Sequence, residues 1–209
     1  MIHKILRRLL FPLFKIFWRV KIKGIENLPS CKNYVIISNH LGKVDCFAIA
    51  TLFKEKIFFM AKKEWFEKKI SSWFFKWLGG IPVDRDNADI TSIKNCFGVL
   101  KNNSRLVVFP EGTRNKDQKV DLLPLKGGAS LIAYKAKVQI VPIAMKSKFR
   151  IFRKNYMYIG KPYDYSELGN AKITPEISQK MHDDMTKALQ SCIVEVKIFA
   201  EEKRSNKKN

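Results

Sequence analysis

The chain alternates between short apolar runs and longer segments whose apolar residues recur every three or four positions. The first pattern predicts buried strands and the second amphipathic helices. Strands are expected at Val35 to Ser38, Lys56 to Ala61, Arg105 to Phe109, Val138 to Ala144 and Met157 to Ile159. A further short strand opens Val20 to Lys32, ahead of a turn at Asn27-Leu28-Pro29-Ser30, and another follows Gly79-Gly80 and ends on Arg85. Helices are expected over Cys46 to Phe53, Asn87 to Asn102, Lys126 to Ala136 and Pro175 to about Ala200. Residues 115–125 are polar and read as a mobile loop, and Pro142 argues for an edge or a bulge in its strand. Strands alternating with helices predict one α/β domain, with a mixed, mostly parallel sheet flanked by helices. That domain spans residues 22–200, after an N-terminal helix over 1–21 and before a charged, frayed tail over 201–209.

At about 100° per residue, Lys4, Arg8, Lys15 and Arg19 share one narrow arc, with Arg7 just outside it. Ile5, Leu6, Leu9, Leu10, Leu13, Ile16 and Phe17 fill the other side, while Phe11 and Trp18 stray into the basic arc. A basic amphipathic helix, with a bend possible at Pro12, suits the membrane interface. The competing reading packs its apolar face on the domain. No run of 18 apolar residues crosses a bilayer, and no small-residue cleavage site marks a signal peptide. Lys62 to Leu78 carries three of the four Trp, interleaved with charges. That composition fits a membrane–water boundary and fits core aromatics equally.

Composition sharpens this picture in one respect. A formal charge of +21 over 209 residues calls for an anionic partner: an acidic membrane surface, acidic or phosphorylated substrates, or nucleic acid. The nucleic-acid option lacks a helix-turn-helix, zinc-finger or RNP pattern, and the basic residues are spread around the chain. Cys31, Cys46, Cys96 and Cys192 show no paired spacing and read as reduced thiols. Cys46 reads as a small buried residue rather than a nucleophile, and His3 and His182 as surface residues. No metal-ligand spacing is visible.

The candidate chemistry sits at His40 and Asp45, between the apolar run ending at Ser38 and the helix starting near Cys46. In open α/β sheets, ligands collect at that end of the strands. Five residues on a regular helix are about 140° apart, so His40 must lie on the turn before the helix to reach Asp45. His40 is then a natural general base, with Asp45 fixing its tautomer. The spacing alone is weak. It gains weight from Phe109-Pro110-Glu111-Gly112-Thr113-Arg114 later in the chain.

Together with Gly80-Ile81-Pro82-Val83-Asp84-Arg85 and Val141-Pro142-Ile143, these blocks resemble the glycerolipid acyltransferase family, specifically the bacterial 1-acylglycerol-3-phosphate acyltransferases. The resemblance covers roughly residues 22 to 165, and one departure is Gly42, where the family usually has Ser. It implies transfer of a fatty acyl group from acyl-CoA or acyl carrier protein to lysophosphatidic acid, giving phosphatidic acid, with no cofactor beyond that co-substrate. It also implies that Arg85 and Arg114 hold the phosphate, and that Glu111, Gly112 and Thr113 position substrate. From the residues themselves, the alternative for Arg85 is a surface pair with Asp84 or Asp86, and for Glu111 a role in orienting Arg114. Val141, Pro142 and Ile143 read as an acyl-chain wall or as a plain strand end. The expected setting is the cytoplasmic face of the cell membrane, with peripheral or monotopic attachment to anionic lipids. Alternatives are another lysolipid acceptor, or a basic membrane- or nucleic-acid-binding protein without activity.

Overall fold

The computed structural model describes residues 2–84 and 90–206, with side chains from Leu10 onward and excluding that of Ile90. Arg85, expected in the site, therefore lies outside the described residues, as do Asp86, the side chain of His3 and the last three residues of the tail. Seven strands form one sheet: β1 (Val20–Lys23), β2 (Val35–Ser38), β3 (Phe58–Lys62), β4 (Gly80–Val83), β5 (Leu106–Val108), β6 (Ile140–Met145) and β7 (Asn155–Ile159). Among the described residues six α-helices accompany it: α1 (Ile2–Trp18), α2 (Asp45–Ala50), α3 (Lys69–Leu78), α4 (Ile90–Lys101), α5 (Gly128–Ala136) and α6 (Pro175–Ser205).

The strand order is β1-β7-β6-β2-β5-β3-β4. Strands β2 to β6 are mutually parallel. Strand β7 runs antiparallel to β6, and β1 parallel to β7. The sheet is thus mixed and mostly parallel. Every residue of β2 is buried, as befits a central parallel strand covered on both faces. Its side chains alternate between two cores. Ile36 faces a layer containing α1, α2 and α3, while Val35 and Ile37 face one containing α4, α5 and the first half of α6. The second half of α6 covers β6 and β7 through Cys192, Ile193, Val196 and Phe199. Each fully buried Val or Ile of β2 contributes about 1.5–3 kcal/mol.

Two regions differ from the pattern-based expectation, and a third meets it in one of its two forms. Pro142, expected at an edge or a bulge, lies in an interior strand beside a bulge. Its carbonyl accepts from the Gly160 amide at 2.9 Å, so its donor-less nitrogen also faces β7, just where β7 has ended at Ile159. The irregularity falls on the partner: Ile140 pairs with Tyr163, so one extra residue on that side lies opposite Pro142. Helix α6 runs on to Ser205, past the expected start of a frayed tail. Residues 115–125, expected to be mobile, are tied down by Asn115 and Leu123 to the site described next.

Helix α1 meets the domain through Phe11, Phe14 and Trp18. Phe14 is buried, stacks on Trp18 at 4.4 Å and, with Phe11, packs on Phe47 of α2. Leu13, Ile16 and Phe17 remain exposed. The helix therefore packs on the domain with one side and keeps another apolar side in solvent. Among the described residues no helix is long and apolar enough to cross a membrane.

Candidate active site

The site forms where β2 ends. After Ser38 the chain turns through Asn39 to Val44 before α2 begins at Asp45. Asn39 is buried and clasps the end of β6, its amide donating to the Met145 carbonyl and its carbonyl accepting from the Met145 amide, both at 2.9 Å. This fixes the turn that carries His40. As the spacing required, His40 stands on the turn and Asp45 at the first position of the helix, so the two side chains meet. His40 Nδ1 lies 2.9 Å from Asp45 Oδ2. The same oxygen accepts the Leu41 and Gly42 amides, each at 2.7 Å. Three groups thus converge on one carboxylate oxygen, which fixes the His40 ring with Nδ1 toward Asp45. His40 Nε2 is left free to act.

The His40 backbone is held as firmly as its ring. Its amide donates to Glu111 Oε1 at 2.6 Å, and its carbonyl accepts from the Asn115 amide at 2.7 Å. The imidazole stacks on Phe109, with centroids 4.1 Å apart. Glu111 is buried, and its other oxygen accepts from the Leu123 amide at 3.0 Å. Burial pushes its carboxyl above the ordinary carboxylate range, against the pull of the two amide hydrogen bonds. Glu111, expected at the substrate, thus has both oxygens engaged by backbone: it joins the His40 turn to the loop over 115–125.

Gly112 follows with φ +67°, a conformation that favours glycine, and closes a turn by donating to the Phe109 carbonyl at 3.0 Å. A Cβ there would come within 3.1 Å of Cε of Lys126, so the Lys126 side chain lies across this turn. Lys126 is tethered by its own amide, which donates to the Pro110 carbonyl at 2.8 Å. Thr113 is exposed and Arg114 half-buried. Among the described residues neither the Arg114 nor the Lys126 side chain makes a hydrogen bond or ion pair. Two cations therefore flank a glycine turn beside the His40–Asp45 pair, an arrangement suited to an anion.

An apolar cavity of about 480 Å³ opens beside the same loop, lined by Phe109, Pro110 and Gly112 at one end and by Phe97, Leu131 and Ile132 on α4 and α5. Val141, Pro142 and Ile143, expected as an acyl-chain wall, do not line it. Val141 and Ile143 are fully buried among α1, α2 and α3 on the other face of the sheet, and Pro142 meets Gly160. The three serve the core. No group of metal-ligating side chains exists among the described residues. Cys96 and Cys192 are buried thiols pushed up to about 11 and about 12, the ionisation range of inert cysteines.

Sequence reasoning found His40 and Asp45 but missed Asn39, Asn115 and Lys126. Asn39 and Asn115 act on backbone groups far along the chain, which spacing does not reveal. Lys126 precedes Gly127-Gly128 and read only as the opening of a helix.

The chain is similar to known proteins over most of its length. The Acyltransferase family model matches residues 19–146. The chain is 34% identical over 177 residues to a 1-acyl-sn-glycerol-3-phosphate acyltransferase of Bacillus subtilis (strain 168), covering 78% of this chain and 87% of that one. It is 38% identical over 144 residues to the Streptococcus pneumoniae protein of the same name, covering 66% of this chain and 52% of that one. The crystal structure of the 1-acyl-sn-glycerophosphate (LPA) acyltransferase PlsC from Thermotoga maritima matches the fold with a TM-score of 0.62 at 24% identity, over 88% of this chain and 80% of that one. With the family model spanning β1 to β6, the His40 turn and the Glu111 loop alike, the chain belongs to the Acyltransferase family.

Proposed function

We propose that this protein transfers a fatty acyl group from acyl-CoA or acyl carrier protein to the free hydroxyl of 1-acylglycerol-3-phosphate, yielding phosphatidic acid. The observation that carries the reading is the His40 ring, held by Asp45 at 2.9 Å through Nδ1 and bordered by an apolar cavity beyond Phe109. His40 Nε2 takes the proton of the acceptor hydroxyl as its oxygen attacks the thioester carbonyl. The tetrahedral intermediate then expels the thiolate, which recovers that proton from the imidazolium. One ester forms, one thioester breaks, and no covalent acyl-enzyme is needed. Asp45 stabilises the imidazolium through the intermediate.

Arg114 and Lys126 bind the acceptor phosphate beside Gly112, and the resemblance adds Arg85 to them. The cavity between α4 and α5 takes the acyl chain. The Bacillus subtilis and Streptococcus pneumoniae relatives, both named for 1-acyl-sn-glycerol-3-phosphate, support this acceptor. Both donors are acidic, as is the lipid surface, and a chain of +21 attracts them all. The protein works at the cytoplasmic face of the membrane, attached peripherally through the exposed side of α1.

The test is thiol release from an acyl-CoA, and separately from acyl carrier protein, on adding lysophosphatidic acid in detergent. His40→Ala should lose about 10²–10⁴-fold in kcat while the protein stays folded. Arg114→Ala should raise KM for the acceptor more than for the donor. Full activity in His40→Ala would overturn the base assignment, and equal KM changes would overturn the phosphate assignment.

A further inference from the structure

Helix α3 is doubly apolar. Its inner side reaches the core through Phe75 and Leu78. Its outer side exposes Ile70 at 85%, Trp73 at 62% and Phe74 at 41%. Trp77, half-buried, stacks near Trp73 at 6.5 Å and Phe74 at 6.0 Å. Positions 70, 73, 74 and 77 follow the i, i+3, i+4, i+7 spacing of one continuous helical stripe. Burying such a stripe is what normally makes a helix pack, yet here it faces away from the domain. Lys68, Lys69 and Lys76 are exposed around it, and none is in an ion pair among the described residues. Glu67 is the acidic neighbour on the same rim, and Glu64 is already paired with Lys62.

We infer that the outer face of α3 docks on an anionic lipid surface, as a contact separate from α1. Three observations select lipid over a second copy of the chain. Tryptophan beside lysine matches the boundary between headgroups and acyl chains, where the indole and the ammonium each find a suitable medium. The lysine rim is complementary to anionic headgroups and repels another molecule of charge +21. Finally, α1 and α3 pack into the same core layer on one face of the sheet, and α1 also exposes Leu13, Ile16 and Phe17. Phe152 extends that exposed cluster, its amide bonded to the Phe17 carbonyl at 2.7 Å and its ring 5.7 Å from that of Phe17. Contact through two helices on one face would orient the domain on the bilayer, where one helix alone leaves it free to rotate about its axis.

The inference rests on the lipid-directed reading above, but its test does not depend on turnover. The triple variant Ile70→Ser/Trp73→Ser/Phe74→Ser is compared with the full-length wild type by sedimentation with vesicles of phosphatidylglycerol and phosphatidylcholine. The expected result is at least about a tenfold weaker association with the anionic vesicles. Melting temperature and thiol release in detergent should stay at wild-type values, because none of the three residues lies in the core or in the site. Brominated lipid should quench Trp73, read as the difference between wild type and Trp73→Phe. Unchanged sedimentation together with unquenched Trp73 would overturn the inference. So would a wild-type dimer that the triple variant converts to monomer while vesicle binding persists, since a second copy would then cover the stripe. Absent turnover in wild type would defeat the proposed reaction, yet leave the vesicle result to decide the role of α3.

Discussion

Asp45 uses its two oxygens very unequally. Oδ2 receives His40 and two backbone amides, whereas Oδ1 is buried and has no hydrogen-bond partner among the described residues. A Cβ built on Gly42 would stand 3.2 Å from that oxygen. Gly42 is not in the left-handed region, so a side chain there carries no backbone strain. Its other close neighbour is Cγ of Lys148, part of a flexible side chain. Gly42→Ser should therefore place a hydroxyl where it can donate to Oδ1 and stabilise the fold by about 1–2 kcal/mol. Gly42→Ala brings the methyl without the donor and should give no such gain. The comparison is a pair of melting curves; equal shifts in both variants would show that filled space, not the hydrogen bond, is responsible. Glu111 offers a second experiment at the same scale. Its folded carboxyl binds a proton more tightly than the unfolded one, because burial outweighs its two amide contacts. Its contribution to stability is thus fully present at low pH and declines as pH rises from the ordinary carboxylate range through its raised folded value. Glu111→Gln should remove that decline, while costing about 1–3 kcal/mol because a side-chain amide cannot accept from both backbone N–H groups. A melting temperature whose pH dependence is the same in both proteins would refute the assignment.

Among the elements, α1 has the richest sequence signal and the least predictable placement. Its helical period was plain, and so was its basic arc. The hidden part was which residues the domain would claim: it takes Phe11, Phe14 and Trp18, two of which lie in the basic arc, because the Phe47 ring of α2 meets Phe11 edge-on and Phe14 at a tilt, and Trp18 stacks on Phe14. A helical wheel describes one helix and knows nothing of its neighbour. The consequence is testable by separating the two sides. Phe14→Ala should destabilise the protein by about 3–5 kcal/mol, as deletion of a buried ring does. Leu13→Ser/Ile16→Ser/Phe17→Ser should leave stability within about 0.5 kcal/mol and weaken vesicle binding instead. If the exposed triple destabilises as much as Phe14→Ala, α1 is simply a core helix. The strands were easier to read. β2 and β5 carry unbroken β-branched or Leu runs, the signature of burial on both faces. Pro142 pointed to an edge or a bulge, and which of the two depends on where β7 ends. The polarity of residues 115–125 was misleading, since the loop is fixed by what Glu111 and His40 offer it.

At the scale of the whole molecule, parallel β2 and β5 bring the His40 turn and the Glu111 loop to the same end of the sheet. The sequence motifs, 71 residues apart at the His40–Glu111 contact, become one site through that polarity. What no motif conveyed was the apolar cavity, because it is enclosed by α4 and α5 rather than by any contiguous run. Gly128 lines it, and a Cβ added there meets nothing within 4 Å. Gly128→Phe should therefore enter open space, narrow the cavity and shift the preferred acyl-CoA to shorter chains, measured as the ratio of kcat/KM across chain lengths. The net charge of +21 acts over the same molecule but by a different law. Salt shortens the screening length from about 10 Å at about 0.1 M to about 3 Å at about 1 M, which weakens attraction between exposed charges and leaves apolar contacts in place. Added salt should accordingly raise KM for acyl-CoA and release the protein partly from anionic vesicles, while kcat at saturation in detergent changes little. The residual, salt-resistant binding belongs to the exposed apolar residues of α1 and α3. Complete release by salt would mean that their aromatic faces never enter the bilayer, and binding wholly indifferent to salt would mean that the basic charge has no part in docking.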